Sequence, residues 1–572
     1  MMCSSFLSLP LELLDVVAEK LDLADIKQLR LCCKRLGSSL ESFTFHTISL
    51  RINCHNASSS SGIRKLQYLA TQRHSGPSRM TKNLIIDCLA PDYDPTFEAE
   101  SYVNGEWVAN VPPKDLPQAI ISRKQMKLYL FYALKSLKNL RSISWNIHQY
   151  DEQWVQCTVM NAIQTLPNLR SVRIEVDWAR IPLPLHRLRG LRDITIIDST
   201  IPSNSGNIYE TYQNLGKMLA RSPGLVGLNI QRGGYDCTHV DTSASLHHLL
   251  RCYPSSQTPL RLKHLVMNRM FVKLDAITLP HLHYLKSLDL SNVLEPHHIT
   301  NIEHLTVDSK ICSSCTQLHG SQKLVGSSVD GIWDALTNLG IELEVLKVRK
   351  VTQSLLNYLE SYSGIKRLHI LSSAHPTSPT EYDALASRFF GTSLGMHIRT
   401  IEKLDIEAAN EGLWCFGPHN MSVIASCTAL VFLGIPICSI HLQTFSCDDK
   451  PVLGSEDGAF DPIASLYDTI TIHLVKINTL KVSVPLSIDR FEGYWCGYSV
   501  SRQFSWVCDT VAERLCAFSN DKPCYPPSCL PDIQIGDKTC KEKRLAPFAT
   551  VRSVPAVDGA VQFRQAFCYK ET

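Results

Sequence analysis

One short spacing recurs along this chain and restricts its fold more than any other feature: an apolar residue, two others, an apolar residue, one other, an apolar residue. From about residue 134 it occurs twelve times. The copies are Leu140/Ile143/Trp145, Leu169/Val172/Ile174, Leu191/Ile194/Ile196, Leu225/Leu228/Ile230, Leu262/Leu265/Met267 and Leu285/Leu288/Leu290. They continue as Ile302/Leu305/Val307, Leu343/Leu346/Val348, Ile365/Leu368/Ile370, Ile401/Leu404/Ile406, Leu430/Leu433/Ile435 and Ile477/Leu480/Val482. The last two members alternate as a strand requires, and the first falls at the turn entering it. Between copies, 126–137, 155–166, 209–220, 332–339, 354–362 and 382–390 carry apolar residues at helical spacing. Strand, helix and strand in the same sense predict a parallel sheet with helices outside it. Successive copies stand 17 to 47 residues apart, so the repeat is irregular, with excursions expected at 309–328, 372–379 and 448–462.

At 572 residues, with 44% apolar and 19% charged residues, the chain has the composition of a folded protein too long for one compact core. A formal charge of +3 provides no basic field for nucleic acid, and none is expected as a partner. The longest apolar run, 429–442, is broken by Gly434 and Pro436 and is short of the roughly twenty residues of a membrane span, so no membrane association is expected. Residues 1–10 lack a basic stretch before an apolar core, which predicts a cytoplasmic or nuclear protein. The 21 cysteines are then thiols, mostly small buried residues.

Residues 7–50 are a different kind of unit. Pro10 opens a helix with Glu12 and Asp15 near its positive end, and Leu13, Leu14, Val17 and Leu21 form its apolar stripe. Asp22 caps a second helical stretch in which Ile26, Leu29, Cys33, Leu36 and Leu40 repeat at steps of three and four. Two helices of this size cannot bury their apolar faces alone, so a partner surface is expected. The run Leu9-Pro10-x-Glu12-Leu13-Leu14, then Leu21-x-x-x-Asp25-Ile26-x-x-Leu29-Arg30-x-Cys32-Cys33-Lys34-Arg35, closing with Phe45 and Thr47-Ile48-Ser49-Leu50, resembles an F-box. Leu36 stands where many F-boxes carry tryptophan. The resemblance implies docking on the Skp adaptor, and through it a cullin, by Leu9, Pro10, Leu13, Leu14, Leu21, Ile26, Leu29 and Cys33.

The repeated core likewise resembles the leucine-rich repeat, with Asn268 and Asn292 near the asparagine such repeats often carry. The chain thus resembles an F-box protein with an irregular leucine-rich-repeat domain, of fungal type. The fold expected is α/β: a helical F-box at 7–50, a connector with the first solenoid elements at 51–133, an irregular solenoid at 134–486 with its parallel sheet on the concave side, and a cysteine-rich tail at 487–572. Within the connector, serine-rich 56–62 reads as a loop, 63–70 as a short helix, Leu84-Ile85-Ile86 as a strand and 93–117 as an insertion; 509–518 in the tail has a helical pattern.

In a parallel stack, the residue between the last two apolar positions of each copy points to the opposite sheet face. In that column Arg173, Asn229, Asp289, Lys347, His369 and Asp405 are the candidate substrate contacts, and its mixed charge favours a protein or peptide over a polyanion. Catalytic signatures fail on context. Gly391-Thr392-Ser393-Leu394-Gly395 has a nucleophile-elbow spacing, but the helical stretch precedes it and the strand follows, the reverse of what such an elbow needs. Cys312-x-x-Cys315 with His319 lacks a second pair, and Cys496, Cys508, Cys516, Cys524, Cys529 and Cys540 are irregularly spaced, so no metal or other cofactor is expected. The function expected is that of a non-enzymatic substrate-recognition subunit of a Skp-cullin-F-box ubiquitin ligase. The alternative is an interaction scaffold that never meets a cullin, distinguished by capture of the adaptor without one.

Overall fold

The computed structural model describes residues 10–53, 56–72, 75–93, 100–103, 106–109, 116–177, 179–199, 205–233, 245–293, 328–371, 379–408, 410–438, 460–483, 485, 532–535, 549–555 and 561–567. They fall into two compact units, one ending at Tyr284 and one beginning at Leu285.

The first unit opens with helices α1 (Leu11–Lys20), α2 (Leu23–Cys32), α3 (Lys34–Ser39) and α4 (Glu41–Thr44), followed by strand β1 (Thr47–Ile52). Next come α5 (Asn56–Thr71), α6 (Gly76–Met80), β2 (Asn83–Leu89), and a separate antiparallel pair, β3 (Glu100–Val103) and β4 (Glu106–Ala109). Then follow α7 (Pro117–Ser136), β5 (Ser142–Ile147), α8 (Gln153–Ile163), β6 (Ser171–Val176), β7 (Asp193–Asp198), α9 (Ser205–Ala220), β8 (Gly227–Arg232), α10 (Leu246–Arg251) and β9 (His264–Asn268). Strands β1, β2 and β5 to β9 form one parallel ladder in chain order.

The second unit repeats the plan. It contains β10 (Ser287–Leu290), α11 (Val329–Asn338), β11 (Val345–Val348), α12 (Gln353–Glu360), β12 (Arg367–Ile370), α13 (Pro379–Arg388), β13 (Lys403–Ile406), α14 (Pro418–Ser426), β14 (Phe432–Pro436), α15 (Pro462–His473) and β15 (Thr479–Ser483). Strands β10 to β15 are parallel in order; β16 (Asp532–Ile535) joins them in parallel, and β17 (Ala549–Pro555) and β18 (Val561–Phe567) follow antiparallel.

The register explains the sequence spacing. Ile143, Val172, Ile194, Leu228 and Leu265 stand side by side, as do Leu288, Leu346, Leu368, Leu404, Leu433 and Leu480. Every apolar member of the copies within the described residues is at most 6% exposed. Each strand entry is fixed the same way: Arg170 and Ser171 donate to the Arg141 carbonyl, Arg192 and Asp193 to that of Arg170, Val226 and Gly227 to that of Arg192. The first apolar residue of each copy is thereby tucked under the turn. The copy Ile302/Leu305/Val307 lies outside the described residues, and β10 pairs directly with β11.

Three sequence expectations change. The serine run is not a loop but the first turns of α5, a helix held by buried Ile63, Leu66, Leu69 and Ala70 and packed on α7; serine disfavours helix by only about half a kcal/mol per residue, which packing overrides. The parallel ladder starts earlier than the repeat, because β1 and β2 carry the same alternation; in β2, buried Thr81 takes the place of the first apolar residue before Leu84 and Ile86. Beyond residue 487, three further strands extend the second sheet; 509–518 lies outside the described residues. No helix among the described residues is long and apolar enough to cross a membrane.

Candidate functional site

Two surfaces were singled out by the sequence: the helical head and the polar column of the sheets.

In the head, Leu13 and Leu14 amides both reach the Pro10 carbonyl to start α1, and Asp22 Oδ1 accepts from the Asp25 amide at 2.8 Å to start α2. The second helical stretch is not continuous. Cys33 is extended (φ −161°, ψ 162°), and its carbonyl caps α3 by accepting from Gly37 at 2.8 Å. Arg30 pins the bend, its Nε 3.3 Å from the Gly37 carbonyl and its guanidinium 4.5 Å from the centre of the Phe45 ring. A side chain at Gly37 would press on the Arg30 carbonyl, so the close turn suits glycine.

This bend lets the head close a small core of its own from Leu14, Ala18, Ile26, Leu36 and Leu40, with Leu21, Leu29, Cys33 and Phe43 partly buried against it. The eight residues proposed for adaptor contact therefore divide. Leu14 and Ile26 face inward, 2% and 5% exposed, and close the head core, Ile26 also forming part of the wall of a groove described below. Leu21, Leu29 and Cys33 are half-buried on the same core. Pro10 and Leu13 are exposed, and Leu9 lies outside the described residues. The sequence reading missed Val16, Leu23 and Leu31, which are 54%, 48% and 81% exposed. The missing signal was the break at Cys33: on an unbroken helix Leu31 reads as flank rather than surface. Beside Leu23 lies a groove of about 340 Å³ lined by Leu23, Ile26, Phe43, Thr44, His46 and Thr47. Leu36, at the tryptophan position, is 4% exposed and belongs to the head core.

The head is joined to the first sheet by more than the chain. Strand β1 pairs with β2 from Thr47↔Asn83 to Ile52↔Leu89, and Thr81 Oγ1 donates to the Phe45 carbonyl at 3.0 Å and the Pro77 carbonyl at 2.6 Å.

The polar column forms one row in each unit. In the first, Ser144, Arg173, Thr195, Asn229 and Val266 are in register. Arg173 is exposed and lies 3.6 Å from Glu175, while Asn229 accepts from Gln231 at 3.1 Å. In the second, the row runs Asp289, Lys347, His369, Asp405, Gly434, Lys481. Lys347 Nζ sits 3.7 Å from Asp289 Oδ2. Asp405 departs from the expectation of a solvent-facing contact: it is 1% exposed, because strands β13 to β15 are buried on both faces. Its partner is Lys481, also buried, whose Nζ lies 3.3 Å from Asp405 Oδ1 and 3.0 Å from Glu407 Oε1. Lys481 reaches across β14 because Gly434 stands between; a Cβ there would collide with Asp405 Oδ1. Burial works to raise the Glu407 carboxyl, but His369 and Lys481 beside it outweigh that and hold it down to about 2. Burial likewise works against the Lys481 charge, and the two carboxylates overcome it, raising its pKa. Glu407 and Lys481 were visible as polar positions but not as site residues; the Asp-x-Glu spacing on one strand was the signal.

Ser393 ends a π-helical turn, Phe389–Ser393, and its hydroxyl donates to Glu360 Oε1 at 2.8 Å; Arg388 holds the same carboxylate at 2.6 and 3.0 Å. Cys312, Cys315, His319 and the tail cysteines lie outside the described residues.

Residues 6–48 match the family model of the F-box domain. No curated protein matches the chain. F-box domains generally bind Skp adaptors, and the presence of one implies a general role in substrate recognition for Skp-cullin-F-box ubiquitin ligases.

Proposed function

We propose that this chain is the substrate-recognition subunit of a Skp-cullin-F-box ubiquitin ligase, active in the cytoplasm or nucleus, which does no bond chemistry itself. The observation that carries the reading is a matched F-box whose own core is closed and whose Pro10, Leu13, Val16, Leu23 and Leu31 remain uncovered. Covering the four exposed aliphatic side chains would give roughly 3–7 kcal/mol of gross hydrophobic gain, comparable to the cost of association, so docking needs further contacts. The groove beside Leu23 suits an apolar side chain of the adaptor. The two parallel ladders, read as an irregular leucine-rich-repeat solenoid, supply polar rows of mixed charge to which a substrate protein would bind through Arg173, Asn229, Asp289, Lys347 and His369. Holding substrate and adaptor on one chain raises the effective concentration of substrate lysines near the transferring enzyme.

Leu13→Asp with Leu31→Asp in the full chain is expected to lower adaptor co-purification at least tenfold while circular dichroism stays unchanged. Retained co-purification would sink the reading. Capture of adaptor without cullin by the wild-type chain would replace it with a cullin-independent scaffold.

A further inference from the structure

In the second unit's row His369, one of the proposed substrate contacts, also faces two carboxylates that no substrate contact uses. Asp405 and Glu407 are two residues apart along one strand direction, which puts both carboxylates on the same sheet face. His369 is in register with Asp405 on the neighbouring strand. Its Nε2 is 3.5 Å from Asp405 Oδ2 and 3.5 Å from Glu407 Oε1, and this buried atom has no hydrogen-bond partner. The three ligand-type atoms all lie within 4.8 Å of one another.

We propose that His369, Asp405 and Glu407 bind a divalent cation of the manganese, iron or zinc class, with Lys481 orienting the two carboxylates. Three observations carry this. An ion with bonds of about 2.1 Å holds its ligands roughly 3.0–3.5 Å apart, which is the spacing His369 Nε2 keeps to each carboxylate oxygen. Lys481 takes Asp405 through Oδ1 and leaves Oδ2 turned toward His369, whereas Glu407 Oε1 lies 3.0 Å from the ammonium and 3.5 Å from His369 Nε2, so an ion would have Asp405 Oδ2 to itself and share Glu407 Oε1 with Lys481. Asp405 and Glu407, 1% and 15% exposed, face the single ammonium of Lys481, so with His369 neutral, as a metal ligand must be, the cluster keeps an excess negative charge that favours a cation. One imidazole and two carboxylates are a borderline-hard donor set, which suits these metals rather than calcium, whose sites are built of oxygen alone. The side carrying His369 and Glu407, 24% and 15% exposed, is the entrance.

The test uses Mn²⁺ on the full chain, because manganese discriminates against the chain's many thiols. Titration followed by the loss of the free-ion electron paramagnetic resonance signal is expected to show one bound Mn²⁺ per chain. Its affinity is expected to fall at least tenfold in both His369→Gln and Glu407→Gln, with thermal melts confirming that the variants fold. Pulsed resonance on the wild-type complex is expected to show coupling to an imidazole nitrogen, a readout that needs no variant. No binding at millimolar Mn²⁺, equal binding by the variants, or a bound ion without nitrogen coupling would each overturn the proposal.

Discussion

Asp151 shows how a single buried group imprints a pH dependence on the whole chain. It is fully buried, Oδ2 accepts from the His148 amide at 3.2 Å, and Oδ1 has no partner. Burial pushes the carboxyl from 3.8 up to about 7, against the backbone amides that hold it down. Between those two values the folded chain keeps a proton that the unfolded chain has lost, so this group's contribution to stability falls as pH rises through the window. Asp151→Asn is therefore expected to gain in melting temperature over wild type as pH is raised from about 4 to 7; a difference that stays flat with pH would contradict the shift. Gly434 makes a steric argument of the same scale. Gly434→Ala must displace Asp405 and with it the Lys481 bridge, and a loss of about 1–3 kcal/mol is expected in chemical denaturation. Asp405, Gly434 and Lys481 were read in the sequence as members of one polar column; that Lys481 reaches across β14 to Asp405 is long-range geometry, which spacing cannot encode.

Among elements, the strands were the most legible. A period of two with a fixed lead-in residue survives irregular spacing because every copy meets the same neighbours in the ladder. The helices were readable wherever an apolar stripe marked them, and misread at the serine run, where α5 draws its stability from packing on α7 rather than from its own first turns. Strand β2 escaped the repeat because Thr81 replaces an apolar residue and satisfies its hydroxyl on two carbonyls. Thr81→Val keeps the shape and removes the one hydroxyl proton that the Phe45 and Pro77 carbonyls share. A loss of about 1–2 kcal/mol is expected in equilibrium unfolding, and an unchanged midpoint would show that the joint between head and sheet does not rely on it.

For the molecule as a whole, the sequence indicated the kind of architecture and the kind of partner but not the division of labour among residues. The F-box pattern was legible because its leucines serve two purposes at once. Leu14, Ile26, Leu36 and Leu40 close the head, while Leu13, Val16, Leu23 and Leu31 stay exposed, and an apolar stripe does not say which is which until Cys33 breaks the helix. The division into two units at Tyr284 and Leu285 was not legible either, because the repeat spacing runs through it without a composition change.

Strand β1 also decides how this head could be exchanged for another. The F-box match ends at residue 48, inside a strand that runs to Ile52 and is the edge of the first sheet. A graft cut at the family boundary would sever that strand and expose the buried Leu84 and Ile86 row of β2 as a new sheet edge, open to pairing with a second chain. A graft cut after Asn53, which carries β1 with the head, must instead reproduce its register on β2. The portable unit is therefore the helices together with their strand, and its receptor is a sheet edge rather than a linker.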